Sequence, residues 1–485
     1  MDEMDSGSAL LDKARSICEA ALDAVDPGRL VETNIVRDGD RLRIVGETFD
    51  LAAFEKVWLI ACGKAAAGMA EALAEVLGER LTGGLVVMPA PGGSGEPSGR
   101  SDPERSSSAE KASKLIEFLD ASHPLPDARS VEAARRAMAL AEKAGPEDLV
   151  IVGISGGGSS LLCLPVEGVT LAEKNAVTQG LLRAGASIRE LNVVRKHLSG
   201  IKGGQLAKAA RPAAVVSLVI SDVNGDDLET IASGPTYWDS STFADAREIL
   251  ERYGLWRKAP ASVRARVEAG ERGDLPETLK SDDPVFENAH AFVIGDNLAA
   301  LRGARRRAET LGFEPFILTS TDEGEARKAA RDYAAFVAEM ACAMSSAPKP
   351  VCLLAGGELT VNVRGKGRGG RNTEFVLASL LEFSKEEVAS AVSPGLEWVV
   401  LSIGTDGVDG PTDAAGAWGD ALTLRRAREL GLEPERYLEE NDSYSFFEKT
   451  SNLIKTGPTG TNVCDVRIFV IRPAGYAEGR TAESS

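Results

Sequence analysis

Histidine is scarce, three residues in 485, and none lies beyond His290. Zinc sites and serine or cysteine hydrolases lean on imidazole, so both classes start at a disadvantage. The six cysteines are scattered without a C-x-x-C pair. That spacing offers no metal ribbon and suits a reducing compartment better than a disulfide scaffold. No apolar run approaches the ~18 residues of a membrane span. The acidic opening MDEMDSGSALLDKARS also lacks the apolar core of a signal peptide. Positive charge is in deficit: 55 Lys and Arg face 73 Asp and Glu, leaving −18. Such a surface repels nucleic acid and anionic membrane. These absences together predict a soluble cytoplasmic protein whose partners are small molecules.

What is present is an alternation of apolar strands and helical patterns. A helix is expected over 8–25. The stretch KVWLIACGKAAAGMAEALAEVL then reads as strand, tight turn and alanine-rich helix. Further strands fall on GGLVVMPA, 148–154, AAVVSLVISD, AFVIGD, FEPFIL, VCLLAGGELTVNV, EWVVLSIG and VRIFVIR. Helices fall on 129–144, 171–184, 297–311 and 372–384. Strands separated by helices predict an α/β protein with doubly wound parallel sheets. The length predicts two domains. The Pro- and charge-rich stretch DLPETLKSDDPVF (273–285) serves as the expected linker, dividing 1–275 from 286–475. The Gly/Pro/Ser-rich stretch 91–110 reads as a flexible insert without chemistry.

Polar glycine turns follow the strands, at the place where open α/β sheets bind ligands. Residues 153–157, GISGG, satisfy the G-x-S-x-G pattern of a hydrolase elbow around Ser155. A triad needs an acid and then a histidine downstream, and His197, set among cations, fills that place poorly. The alternatives are a glycine turn that only permits close packing, or an anion cradle of backbone N–H groups at Ser155, Gly156, Gly157, Gly158 and Ser159. The cradle is favoured.

Gly365, Gly367 and Gly370 match the dinucleotide fingerprint G-x-G-x-x-G. Yet Arg364, Lys366, Arg368 and Arg371 crowd this loop, which suits a polyphosphate better than a nicotinamide cofactor. A solvated basic loop is the plain alternative. Lys64 follows a strand and could reach a phosphate as a point charge. Asp222 and Asp406 also stand nearest the strand ends, where they could hold Mg²⁺ carried with ATP, whereas Asp227 and Asp409 are better read as turn residues. Arg189, Asn192, Arg195 and Lys196 give one helix a polar, cationic face, a solvated surface or a carboxylate clamp.

Taken in order, GKAAAGMAEAL, SHPLPD, ISGGGSSLL, ELNVVRKHLSGIKGG, SLVISDVNGDDLETIASGPT, CLLAGGELTVNVRGKGRGGRN, GTDGVDGPTDAAGAW, NDSYSFF and TGPTGTNVCD resemble the glycerate kinase family that carries a C-terminal MOFRL domain. The resemblance spans nearly the whole chain. It implies a Rossmann-like N-terminal domain, a smaller α/β MOFRL-containing domain and an active site in the cleft between them. It also implies ATP-dependent phosphorylation of glycerate, usually to 2-phosphoglycerate, by a monomer or homodimer. The family's cleft lysine and arginine fall on Lys64 and Arg371. On this reading Lys64 and the 155–159 loop hold anionic groups, with Gly367, Arg368 and Gly369 as further phosphate contacts. Arg371 stabilises the transferring phosphoryl group. Asp222 or Asp406 binds Mg²⁺ or accepts the hydroxyl proton, and Asn192, Arg195 and Lys196 meet the glycerate. A hydroxypyruvate reductase using NAD(P)H, or a serine hydrolase, are the competing readings.

Overall fold

The computed structural model describes residues 2–90, 114–344, 349–392, 395–474 and 476. The 91–110 stretch lies outside them. The chain divides into two units. One comprises the chain up to Val25, Asn297–Thr459, and the chain from Val463 on; the other comprises Asp26–Asp296 with Gly460–Asn462. The division expected at 273–285 is therefore displaced. Thr278 and Leu279 are buried, and Glu277 accepts the N–H of Phe243 at 2.9 Å, so this charged stretch is tied into the larger unit. The first helix, Asp2–Asp23, counts with the C-terminal unit and packs on the helix Asn297–Thr310. Arg307 Nε donates to Ser16 Oγ at 2.9 Å across that contact.

The larger unit opens with an antiparallel meander, β1 (Ile35–Asp38), β2 (Arg41–Ile44) and β3 (Glu47–Asp50). A six-stranded sheet follows, made of β4 (Lys56–Cys62), β5 (Leu81–Pro89), β6 (Ile116–Ala121), β7 (Asp148–Ile154), β8 (Ala214–Ile220) and β9 (Ala289–Gly295). Its order is β6-β5-β4-β7-β8-β9 and every pairing is parallel. This is the doubly wound Rossmann order, with its switch point between β4 and β7. Every residue of β7 is buried, as a central strand covered on both faces requires. Ala133, Ala134, Ala137 and Ala141 form the sheet-facing side of the helix Ala128–Ala141 and pack into the same core. Strand β9, AFVIGD in the sequence, was expected beyond the linker and instead extends this sheet beside β8.

The smaller unit carries β10 (Glu314–Glu325), β11 (Val351–Thr360), β12 (Leu396–Gly404), β13 (Gly416–Asp420), β14 (Leu453–Ile454) and β15 (Asp465–Pro473). Their order is β10-β11-β15-β12-β13-β14. Only β10 and β11 run parallel; the other pairings are antiparallel. A doubly wound parallel sheet is thus correct for the larger unit and gives way here to a mixed one. Phe375, Phe446, Phe447 and Phe469 fill its core.

Candidate functional site

The ends of β4 and β7, at the switch point, are stitched together by Ser155. Its N–H donates to Cys62 O at 3.0 Å. Its hydroxyl accepts the N–H of Ala65 at 3.0 Å and donates to Cys62 O at 3.4 Å. Lys64 N–H reaches Gly156 O at 2.9 Å. Ser155 is fully buried, and its hydroxyl is spent on backbone, so it is a loop staple and no nucleophile. Gly156 and Gly157 donate their N–H groups to no acceptor among the described residues. Ser155→Ala is expected to cost about 1–2 kcal/mol of stability. It should change kcat by less than about tenfold. Melting curves and turnover of the purified variant check this, and a dead but folded enzyme would restore the nucleophile reading.

Asp222 lies two residues beyond β8 and closes on the same loop. A Cβ at Gly156 would stand 2.9 Å from the Asp222 carboxylate carbon, so only glycine lets that acid approach. Asn462 Nδ2 is 3.5 Å from Asp222 Oδ2. His123, read past in the sequence because only downstream histidines suit a hydrolase, is hydrogen-bonded through Nδ1 to Ser160 Oγ at 2.8 Å. Ser160 Oγ in turn donates to Gly157 O at 3.0 Å, so His123 braces the loop.

Behind it, Gly158 N–H donates to Ser155 O at 3.2 Å. Ser159 Oγ bonds Ser233 Oγ at 2.8 Å. Ser233 donates to Asn192 Oδ1 at 2.9 Å, and Asn192 Nδ2 to Thr230 O at 3.2 Å. Asn192 is thus a buried strut. Ala232, Ser233 and Gly234 follow one another at positive φ (50°, 61° and 57°). Two of the three are not glycine, and such left-handed residues concentrate where function over-determines the backbone.

Beneath this turn the charges are unusual. Lys202 is fully buried, its ammonium donating to Ala232 O at 3.3 Å. Lys174, also buried, donates to Leu198 O at 3.0 Å. Their partners are carbonyls rather than acids. Burial first, then the charge of Lys174, bring the pKa of Lys202 down to about 7. Burial, with Arg195 adding to it, brings Lys174 down to about 8. Arg195, whose pKa burial also lowers, makes no ion pair with a described residue. Three cations thus stand close enough to repel one another in a largely buried place. Sequence reasoning found Arg195 and missed Lys174 and Lys202; the second sat in the quoted SGIKGG with nothing to mark it as buried. Lys196, paired with Asp239 at 3.1 Å and Glu229 at 3.7 Å, is a buried structural ion pair rather than an open clamp.

In the smaller unit the helix Arg371–Phe383 follows the basic loop. Its first amides are already capped: Asp409 accepts Asn372 N at 2.8 Å, Thr373 N at 2.9 Å and Thr373 Oγ1 at 2.7 Å. Burial raises the pKa of Asp409 despite those bonds. The loop glycines serve packing. Gly367 N–H donates to Glu440 O at 2.8 Å, and a Cβ there would stand 2.6 Å from Asp442 Cα. Gly369 packs likewise on Ser443. Asn441 Oδ1 takes the N–H groups of Arg364 and Gly365, and Asp442 that of Arg368 at 2.9 Å. The amides of Arg364, Gly365, Gly367 and Arg368 are therefore spent on the 440–443 turn, neither on a dinucleotide nor on a phosphate cradle.

The side chains remain. Arg364 and Lys366 are exposed, and Arg368 lies over the Tyr444 ring, 4.2 Å from its centroid. Arg371 binds Asp465 two-pronged, Nε at 2.7 Å and Nη2 at 2.9 Å, and Glu358 through Nη1 at 2.9 Å. Burial acts to lower its pKa, but Asp465 and Glu358 hold it above its ordinary value. Asp406 accepts Val408 N at 3.0 Å in a tight turn.

No group of three or more His, Cys, Asp or Glu able to hold a metal occurs among the described residues. No described helix is long and apolar enough to cross a membrane.

A Rossmann-ordered unit with a cation-backed glycine loop at its switch point, joined to a mixed-sheet unit bearing a basic loop, defines a two-unit α/β enzyme acting on small anions. Comparison with known proteins agrees. Residues 13–268 match a domain of unknown function, DUF4147, and residues 351–465 match the MOFRL family. Glycerate 2-kinase of Pyrococcus horikoshii is 40% identical over 93% of this chain and 95% of its own. A crystal structure of glycerate kinase from Thermotoga maritima superposes with a TM-score of 0.77 at 36% identity, covering 96% of this chain and 100% of that one. A putative hydroxypyruvate reductase of Agrobacterium vitis is 40% identical over 94% of this chain and 93% of its own. The chain belongs to the MOFRL-containing glycerate kinase family.

Proposed function

We propose that this protein transfers the γ-phosphoryl group of ATP to glycerate, giving 2-phosphoglycerate and ADP. The observation that carries the reading is the trio Lys174, Arg195 and Lys202, cations without acids, under the glycine loop at the switch point. The glycerate oxygen bonds to the γ-phosphorus as the bond to the bridging oxygen breaks, and the hydroxyl proton leaves to a carboxylate. Such a reaction asks a protein for position and charge rather than for a covalent nucleophile. Lys64 and the free amides of Gly156 and Gly157 would face anionic oxygens. Arg195 would meet the glycerate carboxylate, and Asn192 and Ser159 would hold the loop in shape.

Arg371 has three of its five N–H groups committed. The remaining two would meet the transferring phosphoryl group, with Arg364, Lys366 and Arg368 adding positive charge. Asp222 or Asp406 would hold Mg²⁺, which bound with ATP neutralises the phosphates, or would take the hydroxyl proton. The reductase reading lacks support, because the glycines of its fingerprint are packed against protein, Gly365 and Gly367 against the 440–443 turn and Gly370 against Asp409. A cytoplasmic location belongs to the same proposal: the five described cysteines are buried and form no disulfide with one another, as a reducing compartment keeps them.

The test is a coupled assay across a panel of hydroxy acids. ATP should be consumed only with glycerate and Mg²⁺ present, and the product should be the 2-phosphate. Loss of NADPH absorbance with hydroxypyruvate, or ATP use indifferent to glycerate, would overturn the reading.

A further inference from the structure

The larger unit also holds a cavity of about 140 Å³ that none of the loops at 62–65, 153–159 and 231–234 helps to line. That is several times the ~30 Å³ share of one liquid water and below the size of drug-like pockets. Three cations, Lys196, Lys208 and Arg266, and the imidazole of His197 reach it, against one carboxylate, Glu277. Two of the four are answered. Lys196 is held by Asp239. His197 Nε2 bonds Glu277 at 3.1 Å while its Nδ1 bonds Val193 O at 2.8 Å.

The other two are not. Arg266 makes no hydrogen bond or ion pair with a described residue, and its Nε is buried without a partner. Its guanidinium is only held over the Phe243 ring, 5.6 Å from the centroid. Burial with no offsetting charge lowers its pKa. Lys208 is exposed and likewise lacks an ion pair among the described residues. Pro276, exposed beside Glu277, leaves the cavity open to solvent. A buried guanidinium Nε–H without an acceptor is costly unless an oxyanion meets it. In a chain of charge −18, two unanswered cations at one cavity are a concentrated exception.

We propose that this cavity binds a small dianionic phosphate, inorganic phosphate or a short phosphate monoester, with Arg266 as fork and Lys208 as point charge. Ser199, Gln205 and Thr278 supply neutral hydrogen-bonding groups along its wall. The site stands whether or not the protein phosphorylates glycerate.

The experiment uses the full chain carrying Lys64→Met, which weakens anion binding at the glycine loop, and titrates it calorimetrically with inorganic phosphate. One phosphate should bind. Adding Arg266→Gln should raise its Kd about tenfold or more, as the loss of a charge-assisted hydrogen bond does. Adding Lys208→Gln instead should raise it about two- to threefold, as an exposed charge does. Should Arg266→Gln fail to fold, the Lys208→Gln titration and its loss of salt sensitivity decide alone. Arg266→Gln with the native Lys64 should keep its kcat at saturating substrates. No binding by the Lys64→Met chain, or an unchanged Kd in both further variants, overturns the site.

Discussion

Lys64→Met should lower kcat by about 10²- to 10³-fold, the usual cost of removing one preorganised group that meets developing charge, with a much smaller effect on the melting curve. The two halves of this result have separate causes. The fold at this position is held by the backbone, since Lys64 N–H donates to Gly156 O and Ser155 takes the next amide. Those bonds do not depend on the side chain. The side chain is half-buried and runs past the glycine loop, with its Cγ 3.8 Å from where a Cβ would stand on Gly157. Methionine keeps that apolar stem and removes the ammonium with the contacts it makes. Turnover at saturating ATP and glycerate, with a thermal melt beside it, reads both halves. A kcat within threefold of the parent would remove Lys64 from the reaction.

Arg371→Ala should lose turnover and stability together. Asp465 is fully buried. Without Arg371 its remaining partners are Asn372 Nδ2 at 3.0 Å and Arg467 Nη1 at 3.8 Å. Removing one member of such a pair strands a buried charge and costs on the order of 3–5 kcal/mol. The double variant Arg371→Met with Asp465→Asn removes both charges and should recover much of the melting temperature. Its turnover should stay down roughly 10³-fold or more if Arg371 meets the transferring phosphoryl group. A double variant that is stable and fast would leave Arg371 a structural role only.

The larger unit was legible because its signals are local. Strands β4 and β7 end at glycine turns that feed helices, and β7 lies at the bounds read from its sequence, 148–154; β6 and the β1–β3 meander were not read from the sequence. What escaped is set by partners distant in sequence. Strands β11, β12 and β15 are buried nearly throughout, and a continuous apolar run reads the same whether its neighbour is parallel or antiparallel. The first helix gives no hint of the helix it will meet, some 270 residues on. At the site, adjacent residues have opposite fates: Lys196 faces Asp239 while Arg195, about a hundred degrees around the same helix, has no acid. Nor did glycine density at 365–370 identify a ligand. It marked close approach of backbone, and what is approached is the 440–443 turn and, at Gly370, Asp409.

The smaller sheet has one more consequence. Its central strand β15, between β11 and β12, is the last described strand to leave the ribosome. Until then β11 and β12 each present an open hydrogen-bonding edge, the condition under which nascent chains pair wrongly or recruit chaperones. The Rossmann-ordered unit, complete by Asp296 save for three residues, carries no such delay. Synthesis therefore finishes with one half of the enzyme already formed and the other waiting for its keystone.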